Sequence, residues 1–396
     1  MNLKQSQFRQ LLATNVAILL MLLPFRAFVQ ESKVTLNGYV KELYMFYSPE
    51  FTIPGTDMDY LWTNVIHNRL NFKWYATDKL TTVVEMRNRL MFGNLVKDFP
   101  GYKSTVDVDN GLMDLSWISA QGSSWFLHSM IDRAYLDYSA GKWQVRVGRQ
   151  RVNWGVNLVW NPNDIFNTFS YFDFDYEERP GTDAVRVQYY TGVTSSAELV
   201  YKPGRDNAHT SLAGMYRFSR WNYDFQFLGG QAGNDWVLGA GWSGDIRGAG
   251  FRGELTHFEP RNTSSYQSTV ASVSADYTFS DSWYIHTSIL YNSSGKRGNA
   301  GGMNLLFNPD LSAKQLSNAR YSLFGQVSKP ITPLFSASFS GILNPLDESF
   351  YVGPAFNYSL LDNLELMLTG QLFFGDEGTE FGDIGRLAFG RLKWSF

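Results

Sequence analysis

The sequence predicts an all-β fold: a transmembrane, antiparallel, up-and-down β-barrel of about eighteen strands, with sixteen as the nearest alternative count. Three observations carry this. Side chains alternate between apolar and polar by twos, short and long connections succeed one another along the chain, and the last segment alternates up to a terminal Phe396.

Composition sets the frame. The 396 residues suit one large barrel or two soluble domains, and the net charge of -3 gives no basic field for nucleic acid. An aromatic share of 16% with 35 glycines disfavours a helical bundle, and the lack of cysteine excludes thiol chemistry, disulfides and cysteine-zinc sites. Lys4 and Arg9 precede LLATNVAILLMLLPF, residues 11 to 25. That apolar run has the length of an export signal and falls short of the roughly 20 residues of a membrane helix. Cleavage after Val29, with Ala27 at the minus-three position, makes residues 1–29 a signal peptide and 30–396 the barrel. An uncleaved anchor is the alternative.

The alternation is explicit in several segments. WQVRVG (143 to 148) sets Trp143, Val145 and Val147 against Gln144 and Arg146. STVASVSADYTF (268 to 279) opposes Ala271, Val273, Ala275, Tyr277 and Phe279 to Ser272, Ser274, Asp276 and Thr278. In LELMLTGQLFF (364 to 374), Leu366, Leu368 and Leu372 oppose Glu365, Thr369 and Gln371. A period of two means strands. Lipid offers the backbone no hydrogen-bond partner, so strands with one apolar face each must close into a ring. A β-sandwich or propeller would leave those apolar faces uncovered.

Connections support closure. ATDK (76 to 79), SAGK (139 to 142), FSDS (279 to 282) and LLDN (360 to 363) are short. Between them lie long links near 47 to 60, 94 to 128, 155 to 182, 259 to 267, 292 to 318 and 375 to 383, with 243 to 249 fitting least well. Short turns at one end and long loops at the other are the outer-membrane pattern. Trp74, Tyr75, Tyr138, Trp143, Phe279, Trp283 and Trp394 gather near the turn end, as an interfacial girdle would. In AFGRLKWSF, Leu392, Trp394 and Phe396 share a face, and this ending resembles the C-terminal strand by which Gram-negative outer-membrane barrels are recognised for assembly.

With apolar residues outward, the other parity lines the lumen. His67, Arg69, Asn71 and Lys73 fall there, then Glu85, Arg87 and Arg89, then Arg133, Tyr135 and Asp137, then Gln144 and Arg146, then Arg186 and Gln188. Seven cations on five adjacent strands meet two acids, whereas the later strands line the lumen with Ser, Thr, Asn, Gln and Tyr, apart from Asp276 and Glu365. Such a wall either pairs with loop acids to hold the loops or lowers the barrier for anions. Both readings stay open.

GRQRVNWGVNLVWNPNDIFN (148 to 167) leads from that wall into a loop with Trp154, Trp160, Phe166, Phe169, Tyr171, Phe172, Phe174 and Tyr176, and with Asp164, Asp173, Asp175, Glu177 and Glu178. Asn161-Pro162 starts a turn and Gly155 permits a sharp exit from the strand. An acidic, aromatic loop beside a basic wall is expected to fold inward as a constriction, facing Arg69, Arg87, Arg89, Arg133 and Arg146. An ordinary external loop is the alternative. Arg149 and Arg151 share the lipid-side parity of Val147, so they lie beyond the membrane or follow a bulge near Gly148. GRQRVNWG with its long WNPND loop resembles the porin-like outer-membrane barrels of Gram-negative bacteria, including a group with a Gly-Arg-Gln strand end. The resemblance implies passive or substrate-preferring diffusion across the outer membrane and transfers no substrate motif.

Other constellations carry less. Asp107, Asp109 and Asp114 in DVDNGLMD hint at calcium, but Gly111 stands at a ligand position, and a solvated acidic loop is the plainer reading. NPND (161 to 164), NPDL (308 to 311) and NPLD (344 to 347) read as turn formers. The FSDS hairpin sets Asp276 opposite His286 and Ser274 opposite Ser288, a Ser/His/acid grouping low in the lumen where an Asp–His structural pair is the simpler reading. The expectation is a channel, not an enzyme, with no metal and no cofactor. Its partners would be outer-membrane lipid and lipopolysaccharide and small polar or anionic solutes, with further copies or other outer-membrane proteins as neighbours. A barrel plugged by its loops, serving an assembly or export complex, is the alternative.

Overall fold

The computed structural model describes residues 33–50, 59–99, 101–173, 179, 181–301 and 311–396. The expected signal peptide, the segment Phe174 to Glu178 and most of NPDL lie outside them. The strands are β1 (Val34–Ser48), β2 (Leu61–Tyr75), β3 (Leu80–Phe92), β4 (Ser116–Gln121), β5 (Trp125–Ala140), β6 (Trp143–Gln150), β7 (Thr182–Tyr190), β8 (Ser196–Lys202), β9 (Ser211–Arg220) and β10 (Tyr223–Ala232). They continue as β11 (Asp235–Ile246), β12 (Ala249–Pro260), β13 (Ser268–Thr278), β14 (Tyr284–Asn292), β15 (Tyr321–Thr332), β16 (Phe335–Asn344), β17 (Ser349–Leu361), β18 (Leu364–Phe374) and β19 (Arg386–Ser395). Two short helices, α1 (Asn94–Asp98) and α2 (Tyr102–Val106), lie in the loop after β3.

Eighteen strands close an antiparallel barrel, as the alternation predicts. β19 returns to β1 from Tyr39↔Ser395 to Ser48↔Arg386. Beyond β19, Phe396 exchanges both backbone hydrogen bonds with Gly38 at 2.9 and 3.0 Å, so the last residue still belongs to the seam. β4 is the additional strand. It pairs with the loop-end half of β5 at Ser116↔Met130, above the level where β6 meets β5 at Ala134↔Arg149.

Burial is inverted relative to a soluble sheet. Leu238 is 70% and Ile289 52% exposed, whereas Ser272 and Ser288 are 0% and 1% exposed. Only an apolar solvent outside the ring makes that arrangement favourable. The β11–β12 link is a two-residue turn, Arg247-Gly248, both with positive φ, and it falls at the turn end. The outer links at 233–234 and 345–348 are short as well, so the long-loop rule does not hold at every outer position.

Two departures from strict alternation shape the interior. A bulge shifts the β3–β5 register between Glu85↔Arg133 and Met86↔Ile131, which inserts Asp132 into the wall beside Arg133. Gly148 adopts φ 118°, and a Cβ there would stand 2.2 Å from the Ala134 carbonyl oxygen, so glycine is required where β6 begins to leave the ladder.

The hydrophobic core lies inside the barrel, in its loop-end half. Inward residues Val200, Leu228, Val237, Phe258, Val270 and Leu290 are buried with loop residues Trp154, Trp160, Phe166 and Phe172. The expected polar lining of the later strands therefore gives way to an apolar one where the loops dock.

Candidate functional site

The residues expected to form the wall lie on β2, β3, β5, β6 and β7, where they are more compensated than seven cations against two acids. Arg69 is fully buried and contacts Asp132 at 2.7 Å, Glu85 at 2.5 Å and Asn71 at 2.8 Å. Arg146 contacts Asp137 at 2.5 Å and rests 4.6 Å from the Tyr135 ring centre. Arg186 contacts Glu198 of β8 at 2.7 Å. Asp132 and Glu198 were not in the predicted wall; the bulge moves the first inward, and the second sits on the inward parity of Val200. Buried cations need such partners because desolvation without pairing is expensive.

The remaining wall residues have varied surroundings. Arg87, opposite Arg69 in register, points Nη2 at Met130 Sδ at 3.1 Å. Arg89 Nη2 lies 3.0 Å from His128 Nδ1. Arg133 donates to the carbonyls of Asp132 and Arg179 at 2.7 and 2.6 Å, the latter tying down the end of the long loop after β6. Lys73 is half-buried, its ammonium 4.7 Å from the Tyr75 ring centre. The wall also extends through the seam, with Lys41 fully buried on β1 and Lys393 on β19 beside the Tyr39 ring at 4.8 Å. Alternation of Tyr39, Lys41 and Leu43 was the available signal. Arg252 on β12 pairs with Asp276, so cations are not confined to one side.

The loop after β6 enters the lumen and lies against the wall away from most of these cations. Glu254 of β12, 1% exposed, accepts the backbone N–H groups of Val156, Asn157 and Asn163 at 2.5, 2.8 and 2.8 Å. Thr256 Oγ1 donates to the Pro162 carbonyl at 2.9 Å, Ser274 Oγ to Asn157 Oδ1 at 2.6 Å, and Gln226 Nε2 to the Trp154 carbonyl at 2.6 Å. Trp154 donates its indole N–H to Glu198 at 2.7 Å and meets Phe166 edge-on. Trp160 and Tyr171 pack on Phe324 of β15. Phe172 packs on Tyr351 and Phe373, and its carbonyl accepts from Gln371 of β18 at 2.8 Å. Asn161-Pro162 does start a turn, closed from Asp164 N to Asn161 O at 3.1 Å.

Among the acids singled out, Asp164 is buried, with Arg151 and Arg179 of its own loop as its favourable charges. Burial pushes its carboxyl up to about 7. Asp173 is exposed, and Asp175 and Glu177 lie outside the described residues. Gly155 lies past the end of β6; its missing side chain leaves room for Asn161, whose Oδ1 would stand 2.3 Å from a Cβ.

The loop after β3 also folds inward, which the sequence reading did not anticipate. Val96, Tyr102 and Val106 pack on Leu43, Val65, Met91 and Phe126, an apolar set from β1, β2, β3 and β5. Its acidic stretch is solvated only in part: Asp114 is exposed, whereas the Asp109 side chain is 4% exposed. Asp109 and Asp183 clasp Arg149 at 2.5 and 2.8 Å, and Arg149 is 2% exposed. A Cβ at Gly111 would stand 2.1 Å from Arg149 Nη2, so glycine serves close approach there, not metal ligation. Asp107 accepts from Ser116, whose Oγ lies 2.7 Å from His128 Nε2, while Asp114 caps the Ser116 N–H at 3.1 Å.

The Ser/His/acid grouping low in the lumen is not assembled. Asp276 and His286 are opposite in register, but Asp276 bonds Arg252 while the His286 ring lies against Phe324. Ser274 and Ser288 bond Asn157 and the Val273 carbonyl. The simpler Asp–His pair is therefore not formed either.

No protein-family model and no curated sequence matches the chain. Solved structures do. OccAB4 of Acinetobacter baumannii superposes with a TM-score of 0.59 at 10% identity, over 93% of this chain and 99% of that one. OccK11 (OpdR) of Pseudomonas aeruginosa gives 0.57 at 9% identity, over 92% and 96%. OccD3 (OpdP) of the same organism gives 0.55 at 8% identity, over 91% of each. At these identities the likeness concerns architecture: in fold, the chain is a closed, porin-like β-barrel.

Proposed function

We propose that the protein is an outer-membrane channel through which small polar or anionic solutes diffuse. The observation that carries this is the docking of loop residues Asn157, Pro162, Asn163 and Phe172 on Glu254, Thr256, Ser274 and Gln371, across the lumen from most of the basic wall. The loop is then the constriction, with Trp154, Trp160 and Asp164 in its docked part, and the path runs between it and the strands bearing Arg69, Arg87, Arg89 and Arg133. Toward the turn end Lys73, Arg146 and Arg186 remain partly exposed, and a cavity of about 380 Å³ opens beside Glu365 and Lys393. Cations in a water-filled lumen favour anions, although pairing weakens that preference.

The barrel would sit in the bacterial outer membrane, exported by residues 1–29, with lipid and lipopolysaccharide against its outward face. Diffusion requires no catalytic step and no cofactor. Osmotic swelling of proteoliposomes tests the proposal: solutes of one size, one anionic and one neutral, should both enter, the anion faster. Swelling no faster than in protein-free vesicles would refute it. The apolar core of wall and loop side chains in the loop-end half favours a second reading, a plugged barrel serving an assembly or export complex. That reading predicts folded, inserted protein and no uptake.

A further inference from the structure

The outward face of β1, β2, β3 and β5 breaks the rule that the rest of the barrel follows. Glu42 has outward parity, between the buried inward residues Lys41 and Leu43, and is exposed. Asn64 and Asn68 alternate outward on β2, and Asn88 on β3. Asn64 Nδ2 donates to Glu42 Oε1 at 2.8 Å, and Ser129 Oγ donates to Asn88 Oδ1 at 2.7 Å. On the opposite wall, outward positions of β12, β13 and β14 hold Leu255, Val273 and Ile289.

Depth makes this patch significant. Tyr44 stacks on Trp62 and Phe46 on Tyr60 toward the loop end, while Trp394 meets Phe396 toward the turn end. Glu42 and the amides lie between these aromatic bands, where a barrel in a bilayer normally presents apolar side chains. A carboxylate at that depth needs donors that lipid does not supply. The Asn64 Oδ1 atom is buried without a hydrogen-bond partner, which adds a second unmet demand.

The patch supplies its own complement. Glu42 offers acceptors, and Asn88, whose Oδ1 is taken by Ser129, offers its amide N–H groups. Glu42 stands eight residues in from Val34 and Asn88 eight residues in from Leu80, so the two lie at equal depth on either side of β2. Asn68 is midway, paired with Val40 on one side and Asn88 on the other. A two-fold axis along the membrane normal in front of β2 therefore sets Glu42 of one copy against Asn88 of the other, twice over. We propose that a second copy of this chain docks on the β1–β3 face, in a two-fold pair sealed from lipid around Glu42, Asn68 and Asn88. The proposal rests on the barrel being embedded in a membrane; it does not depend on whether the lumen conducts.

The chain contains no cysteine, so single-cysteine variants report proximity cleanly. Asn68→Cys would sit next to its own copy across the axis, and Leu255→Cys on the opposite wall serves as the reference. Both are refolded into phosphatidylcholine vesicles, oxidised, and read as dimer on a non-reducing gel, with flotation and heat-modifiable mobility reporting insertion and folding. The expected result is dimer with Asn68→Cys well above the Leu255→Cys level. Glu42→Leu in the Asn68→Cys background removes the contact from both sides of the axis and should lower it about a hundredfold, the scale of losing two charge-assisted hydrogen bonds at roughly tenfold each. Equal crosslinking at the two positions, or crosslinking at Asn68→Cys that Glu42→Leu leaves unchanged, overturns the two-fold pair while leaving the membrane barrel intact. Folded protein that fails to float with vesicles overturns the membrane reading, and the pair with it.

Discussion

Glu254→Ala should release the lumen loop without unfolding the barrel. The wild-type carboxylate accepts three loop N–H groups at 2.5 to 2.8 Å and is itself 1% exposed. Each donor left unpaired costs about 1–3 kcal/mol, so three bound the loss at roughly 3–9 kcal/mol. The freed end of the loop can rehydrate in the lumen, which puts the net loss near the low end, about 3 kcal/mol, a change of roughly a hundredfold in the docked-to-free ratio. Two assays read this. Single-channel current should rise and become noisier, and trypsin should cut after Arg151, which the docked loop protects. Glu254→Gln, which keeps one acceptor oxygen, should fall between. Unchanged current and unchanged protease resistance in a variant that still shows heat-modifiable mobility would refute the claim that Glu254 holds the loop.

Three other outcomes follow from the same contacts. Arg149→Met leaves Asp109 and Asp183 buried without their cation, and chemical unfolding in detergent should show a loss of about 3–5 kcal/mol, the usual result of breaking one side of a buried pair. Asp164 gives the loop a pH dependence: below about pH 4 the carboxyl is protonated in docked and free loop alike. Between there and about 7 the docked loop retains a proton that the free loop releases, so docking weakens as pH rises, and above that the loss is complete. Tryptic cleavage of the loop, normalised at each pH to that of an unfolded reference peptide, should increase from pH 5 to pH 8, and Asp164→Asn should flatten that profile. Glu380→Ala removes the acceptor for Ser317 Oγ, the N–H groups of Asn318 and Ala319, and Asn344 Nδ2, so amide exchange in residues 311–320 should speed up at least about tenfold.

The barrel was legible because two solvents act on every strand: lipid selects Leu238 and Ile289 outside while Ser272 and Ser288 turn inward, and that contrast survives in sequence as period two. The inward parity of the charged residues on β2, β3, β5, β6 and β7 was legible to the same degree, and failed where the period failed. Asp132 is hidden by a one-residue bulge, and Arg149 follows Gly148, where β6 leaves its ladder. The loop's aromatic and acidic content marked it as unusual, but its docking wall was not legible. Glu198, Glu254 and Gln371 lie 44, 98 and 199 residues from their loop partners, and no local pattern links them. One clue was present. Val237, Phe258, Val270 and Leu290 have inward parity, which makes sense only if something apolar covers them.

The most direct test of the channel is planar-bilayer conductance of the refolded protein, with the reversal potential measured in a salt gradient. Discrete open channels that prefer anions are expected, the preference falling in Arg87→Ala/Arg133→Ala/Arg146→Ala. Stable insertion of folded protein with no conductance would contradict it and identify the lumen as plugged.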